Sequence, residues 1–130
     1  MNAPTPAPAT AEERAQLVAG AADEGRALGI VILHVAPIMP FCGYFVICSG
    51  RSPIHCESIC DRVEELLREQ GVRPHHREGP RQGEWTILDY GDVVLHIFSE
   101  SARRFYDLER LWAEAPRLEP SFPATPEEAG

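Results

Sequence analysis

Asp89 and Asp92 flank the dipeptide Tyr90-Gly91, and two carboxylates facing each other across a tight turn are a pair that could hold a divalent cation. Gly50-Arg51-Ser52 precedes a helical pattern, where free backbone amides could receive a phosphate. Together they suggest metal-assisted phosphoryl or nucleotidyl transfer. That chemistry wants a close pair of carboxylates on the strand after the glycine-serine segment, whereas the next acidic residue here is Glu57, inside the expected helix. Aspartates at a hairpin tip also serve as turn formers through their own side chains. Cys48 or Ser49 can be drawn as a nucleophile with His55 or His96 as base. A histidine on an apolar strand face, however, ordinarily fills a core or interface position. No set of residues is pinned to roles as a catalytic site requires. A metal-dependent nucleotidyl or phosphoryl transferase therefore stands as the alternative reading, with no catalytic residue or cofactor assigned.

Cys42, Cys48, Cys56 and Cys60 include no Cys-x2-Cys pair. Cys56 and Cys60 would share one helix face beside His55, which is weak support for a metal site, and packing of free thiols is the expectation. The opening MNAPTPAPAT has neither a basic region nor an apolar stretch for export, so a cytoplasmic location is expected. No apolar run approaches the ~20 residues needed to span a bilayer. Net charge is −8, from 20 carboxylates against 12 arginines, with no lysine. Acidity of this size favours a basic protein partner over unaided wrapping of nucleic acid, although solubility alone could account for it. A local basic cluster, Arg73, His75, His76, Arg77 and Arg81, reads either as a solvated loop or as a phosphate contact.

The elements that would position these residues follow from periodicity. In a chain of 130 residues one domain is expected. Residues 1–9 should form a disordered tail. Thr10 and Glu13 make a capping-box pair before Leu17, Val18, Ala21 and Leu28 at helical spacing, with Gly29 as the stop. Ile30 to Val35 reads as a strand ended by Pro37 and Pro40, and Gly43 to Ser49 as a central strand buried on both faces. Ser52 and Pro53 open a helix whose apolar stripe would be Ile54, Ile59, Val63, Leu66 and Leu67, closed by Gly71. Arg73 to Glu78, containing Pro74, should be an edge strand. Glu84 to Asp89 and Asp92 to Phe98 form a hairpin about Tyr90-Gly91, which places Asp89 opposite Asp92, Ile87 opposite Val94 and Trp85 opposite His96. Ser99 caps a last helix with Phe105, Leu108, Leu111 and Trp112 on its apolar side, and Pro116 ends it. A mobile acidic tail is expected over residues 117–130.

The run from Glu78-Gly79 through Trp85, Leu88 to Val94, His96 to Phe98, Arg103 and Phe105 to Trp112 resembles the ribosomal silencing factor family, also called Iojap-related. Upstream, YFVICSG at Tyr44 to Gly50, then Ser52 and His55, is similar to that family's strand and helix entry, so the likeness spans Ala11 to Pro116. One departure is Gly43, where the family usually carries an aspartate. The resemblance implies an α/β (α+β) domain over residues 10–116. It would be a single mixed sheet of about five strands with helices packed on it, similar to nucleotidyltransferases without their catalytic motif. It further implies a translational repressor that docks on the large ribosomal subunit at ribosomal protein L-fourteen and blocks joining of the small subunit under nutrient limitation. The partner-facing role is carried by this resemblance onto Trp85, Asp89, Tyr90 and Asp92, and onto Tyr106, Asp107 and Glu109. Arg77 and Arg81 are candidate contacts to ribosomal RNA phosphate. A small homodimeric module with another target is a third reading, and whether the free chain is a homodimer is left open.

Overall fold

Burial of the second strand on both of its faces sets the architecture. The computed structural model describes residues 10–79 and 84–121. Helix α1 (Ala11–Glu24) is followed by strands β1 (Leu28–His34) and β2 (Tyr44–Gly50), helix α2 (Pro53–Glu69), and strands β3 (His76–Glu78), β4 (Trp85–Asp89) and β5 (Val93–Ser99). Short helices α3 (Glu100–Tyr106) and α4 (Leu108–Leu111) and a two-residue strand β6 (Arg117–Leu118) complete it. The strands form one sheet in the order β3-β4-β5-β2-β1-β6, mixed because β2 runs parallel to β5 while the other pairs are antiparallel. Every residue of β2 is buried, as expected of a central strand. Tyr44, Val46 and Cys48 point to the face covered by α1 and α2, and Phe45 and Ile47 to the other.

Local chemistry accounts for the helix starts. Thr10 Oγ1 accepts from Glu13 N at 3.0 Å and Glu13 Oε1 accepts from Thr10 N at 3.1 Å, the reciprocal pair read from the sequence. Ser52 Oγ accepts from His55 N at 3.0 Å ahead of Pro53. Gly50 lies so close to α2 that a β-carbon there would sit 2.7 Å from Cys56 Sγ, which fixes glycine at the strand-to-helix corner.

Several expectations are corrected. Helix α1 stops at Glu24 and not near Gly29, because its buried stripe runs out at Ala22. The chain turns with Arg26 at φ 65°, and Gly29 (φ 56°) falls at an irregularity within β1. Ile54 is exposed, since the stripe of α2 is Cys56, Ile59, Cys60, Val63 and Leu67, and position 54 is half a turn off it. The hairpin register is shifted by two residues. Asp89 pairs with Val94, Ile87 with His96 and Trp85 with Phe98, while Tyr90 N donates to Val93 O at 2.8 Å, so the tip is Gly91-Asp92. Asp89 Oδ1 takes the Gly91 amide at 2.7 Å and Gly91 has φ 90°, which together set this turn. A shift of two preserves parity, so the side chains within β4 and β5 keep the faces assigned to them, while Asp92 falls in the turn.

The last helix is broken. Asp107 adopts the left-handed conformation at φ 48°, tolerable for aspartate, and splits it into α3 and α4. Leu108 and Trp112 thereby turn to the sheet, while Phe105 and Leu111, expected on the buried side, are exposed. The sheet also continues past Pro116: Arg117 and Leu118 pair with Leu33 and Ile32, where a mobile tail was expected. Gly43 N donates to Asp92 O at 2.9 Å, and a β-carbon at position 43 would meet that oxygen at 3.0 Å, so this backbone is fitted to a glycine. The expected tail at residues 1–9 lies outside the described residues.

Candidate docking face

The two faces of the sheet are covered unequally. Helices α1 and α2 seal one side over a large apolar cluster, whereas the other side has, among the described residues, α3, α4 and the loop between β1 and β2. Because β4 and β5 alternate, Trp85, Val94, His96 and Phe98 all project to that second side. There the rings form a connected run. Phe105 meets Tyr106 at 5.0 Å between centroids, Tyr106 meets Trp85 at 4.7 Å, Trp85 lies 6.0 Å from His96, His96 4.7 Å from Phe45, and Phe45 5.4 Å from Trp112. Phe98 lies fully buried beneath Trp85 at 5.0 Å. Tyr106 is 48% exposed and Phe105 80%, so the run begins in solvent and descends into the core.

His96 anchors it. The Trp85 indole Nε1–H can only donate, and it reaches His96 Nδ1 at 3.1 Å, which leaves the imidazole proton on Nε2. Burial pushes the His96 pKa down to about 4, so the ring is neutral at physiological pH and places no charge under the aromatic surface. Its Nε2 has no partner among the described residues. The Trp85 orientation thus depends on a neutral imidazole at one fixed height on β5.

The residues assigned to the partner-facing role separate into two groups. Trp85, Tyr106, Asp107 and Glu109 belong to the open side or its flank, and Asp89 is half-buried at the hairpin end. Glu109 is held by Arg103 Nε at 2.9 Å and approached by Arg117 at 3.8 Å, while the same Arg103 donates to Ser49 Oγ at 3.1 Å and to Leu28 O at 3.3 Å. Tyr90 does not join them: its ring is 4% exposed and packs on the α1/α2 side, with its hydroxyl buried. Nor is the Asp92 carboxylate free at the hairpin tip, since Arg14 of α1 grips it with Nε at 3.0 Å and a terminal nitrogen at 2.6 Å. Arg77 lies across Asp61 at 3.2 Å and Glu64 at 2.6 Å, its charge matched by α2. Arg81 lies outside the described residues.

The loop between β1 and β2 adds side chains that periodicity did not single out. Phe41 is 88% exposed and Ile38 is exposed beside it, while Met39 and Cys42 of the same loop pack into the cluster under the open face. The available signal was three large apolar residues, Ile38, Met39 and Phe41, set around Pro37 and Pro40, where a loop would ordinarily be polar.

The chemistry considered for catalysis is spent internally. Arg51 N donates to His55 Nδ1 at 2.9 Å and Cys56 N to Ser52 O at 2.9 Å, so amides at the start of α2 are already engaged. His55 Nε2 lies 3.1 Å from Gly25 O. Cys48 and His96 are on opposite faces of the sheet, because Ile47, not Cys48, is the neighbour of His96. All four thiols are buried and free, and burial pushes Cys48 and Cys60 up to about 12. Among the described residues, no three His, Cys, Asp or Glu side chains gather as a metal site would require, and no helix is long and apolar enough to cross a membrane.

The domain is thus a small mixed sheet with two helices over one face and a run of aromatic rings on the other. The sequence profile described as ribosomal silencing factor during starvation matches residues 8–129, and the chain belongs to that family. It is 35% identical over 108 residues to ribosomal silencing factor RsfS of Halalkalibacterium halodurans, covering 83% of this chain and 92% of the relative. A crystal structure of a protein from Bacillus halodurans superposes with a TM-score of 0.73 at 34% identity, covering 83% of this chain and 98% of the other. A more distant relative, the mouse protein named mitochondrial assembly of ribosomal large subunit protein 1, is 31% identical over 86 residues, 64% of this chain and 38% of its own length. The family description is a regulatory one, ribosome silencing during starvation.

Proposed function

We propose that this chain represses translation by docking its open aromatic face on the large ribosomal subunit, at ribosomal protein L-fourteen, and so sterically preventing the small subunit from joining when nutrients are scarce. The observation that carries the reading is the ring run Phe105–Tyr106–Trp85, which leaves solvent and enters the uncovered side of the sheet. Trp and Tyr are the side chains most often found at the energetic centre of interfaces, and a surface of this kind is expensive to leave exposed without a use. Net charge −8 steers the chain toward a basic protein, and the name of the mouse relative links that protein to the large subunit. The working location is the cytoplasm, and steric repression needs no cofactor. A contact between Arg77 or Arg81 and ribosomal RNA phosphate would require Arg77 to leave or share the two carboxylates, Asp61 and Glu64, that it already faces.

Cosedimentation with purified bacterial ribosomal subunits tests the proposal. The chain is expected to pellet with large subunits and to remain in the supernatant with small ones. Equal partition between the two would remove its basis.

A further inference from the structure

The bend at Asp107 decides which side chains of α3 and α4 reach the sheet. Trp112 follows Phe105 by seven positions, and on an unbroken helix the two would point within roughly 20° of each other. Phe105 is 80% exposed, so a straight continuation of α3 would carry Trp112 into solvent beside it. Instead the Trp112 ring lies 5.4 Å from that of Phe45, and Leu108 packs on the same cluster. The left-handed Asp107, at φ 48°, reconciles the two placements, although that conformation is disfavoured for a residue with a β-carbon. The Asp107 side chain makes no capping bond at the start of α4, so the bend is not held from within. Arg103 holds it from outside. Its Nε donates to Glu109 Oε1 at 2.9 Å, across six positions. On an unbroken helix, residues six apart are separated by roughly 9 Å along the axis and roughly 240° around it, so this pair closes only when the chain is bent. Arg103 Nη1 also donates to Ser49 Oγ of β2 at 3.1 Å and to Leu28 O of β1 at 3.3 Å, which ties the same guanidinium to the sheet. Gly29 makes room for it: a β-carbon there would lie 2.9 Å from Arg103 Nη1.

We propose that Arg103 is a positioning residue for the docking face: it keeps the chain bent at Asp107, and so keeps Leu108 and Trp112 on the sheet beside the Phe105–Tyr106–Trp85 run. Without the guanidinium, α3 is free to run on as the single helix that the spacing of Phe105, Leu108, Leu111 and Trp112 describes. Trp112 would then leave Phe45, and the β2 side of the face would lose its cover. The Arg103–Glu109 pair suits this task because both side chains are largely shielded from water, at 16% and 24% exposure, where an ion pair holds better than on the open surface. Arg103 acts through α4 and needs no contact with a partner. For its effect on binding the inference rests on the docking proposed above, whereas the seating of Trp112 belongs to the chain alone.

Two substitutions in the full chain displace the guanidinium by different routes. Arg103→Met removes it, and Gly29→Ala pushes it aside from β1 while leaving the sequence of α3 and α4 intact. Nuclear Overhauser contacts between the Phe45 and Trp112 rings, expected in the parent, should be lost in Arg103→Met and weakened in Gly29→Ala. Contacts between Trp85 and Phe98, 5.0 Å apart on the β4-β5 pair, should persist in both and show that the sheet is intact. If Arg103→Met does not fold, Gly29→Ala alone decides. Adding Asp107→Gly to the weakened chain supplies a residue at ease in the left-handed conformation and should restore the Phe45–Trp112 contacts, a rescue that mere loss of sheet contacts would not show. Phe45–Trp112 contacts unchanged by either substitution, or not restored by the glycine, would overturn the proposal. Cosedimentation with large subunits reads the consequence, and the folded variants should bind more weakly than the parent. Equal binding by a chain that has lost the Phe45–Trp112 contact would overturn the role in docking. A parent that fails to pellet would remove the docking reading itself, with the ring contacts still deciding whether Arg103 holds the bend.

Discussion

Replacing Trp85 and Tyr106 together by alanine is expected to lower affinity for the large ribosomal subunit by at least about 100-fold, while the domain stays folded. The two rings touch at 4.7 Å, so their contributions are coupled and cannot simply be summed. An aromatic at the centre of an interface costs ~2 kcal/mol or more when truncated, and ~3 kcal/mol for the coupled pair corresponds to roughly two orders of magnitude in affinity. Tyr106 is half in solvent, so its removal touches the core little. Trp85 also covers Phe98 and binds His96, so its removal should lower the melting temperature measurably. Circular dichroism and a thermal melt separate loss of fold from loss of surface, and Phe105→Ser, at a position 80% exposed, supplies a variant that alters the surface with almost no effect on packing. A folded double variant that binds subunits as tightly as the unsubstituted chain would place the interface elsewhere. Tyr90→Ala is not a substitute for Tyr106→Ala. With its ring 4% exposed in the main core, it would report on folding.

Acid should destabilise the domain through His96. Its pKa lies near 4 in the folded protein, against an ordinary 6.5, because burial disfavours the cation. The unfolded chain therefore binds more protons across this interval, and stability falls as pH drops from about 6.5 toward 4, being fully present above 6.5. At about 1.4 kcal/mol per pH unit the interval corresponds to about 3 kcal/mol, a large share of the ~5–15 kcal/mol typical of a domain. Denaturant titrations at pH 7.0 and 4.5 on the parent and on His96→Leu measure it. The parent is expected to lose more stability than the variant, the difference being the histidine's share once carboxylate titration is subtracted. Equal losses would show that His96 is accessible to protons in the native state. Since the same ring fixes the Trp85 indole at 3.1 Å and stays neutral in the folded chain until the pH nears 4, binding by the chain that remains folded should hold across this interval.

What could be read in advance depended on whether one element sufficed to determine it. The capping box at Thr10, the Ser52-Pro53 start of α2 and the wholly buried β2 each rest on chemistry within a few residues, and each is found where the sequence puts it. The hairpin parity was legible but its register was not, because the choice between Tyr90-Gly91 and Gly91-Asp92 at the tip depends on where the Tyr90 ring packs and on Arg14, 78 positions away, reaching Asp92. Asp92 and Tyr90 look outward in a list of residues, and both are claimed by the helical side once α1 is folded over the hairpin. The break at Asp107 left no mark in the helical periodicity, since Phe105, Leu108, Leu111 and Trp112 fit one continuous stripe. The resemblance put Trp85 and Tyr106 forward, and the structure sets their rings 4.7 Å apart, whereas the exposure of Phe41 and Ile38 in the loop between β1 and β2 was not legible from periodicity.

Subunit joining, followed by light scattering as small subunits are mixed with large subunits already incubated with the chain, is the most direct measurement of the repression argued above. The amplitude of joining should fall in proportion to occupied large subunits and recover with the Trp85→Ala, Tyr106→Ala chain at equal concentration. Undiminished joining at saturating occupancy would contradict it.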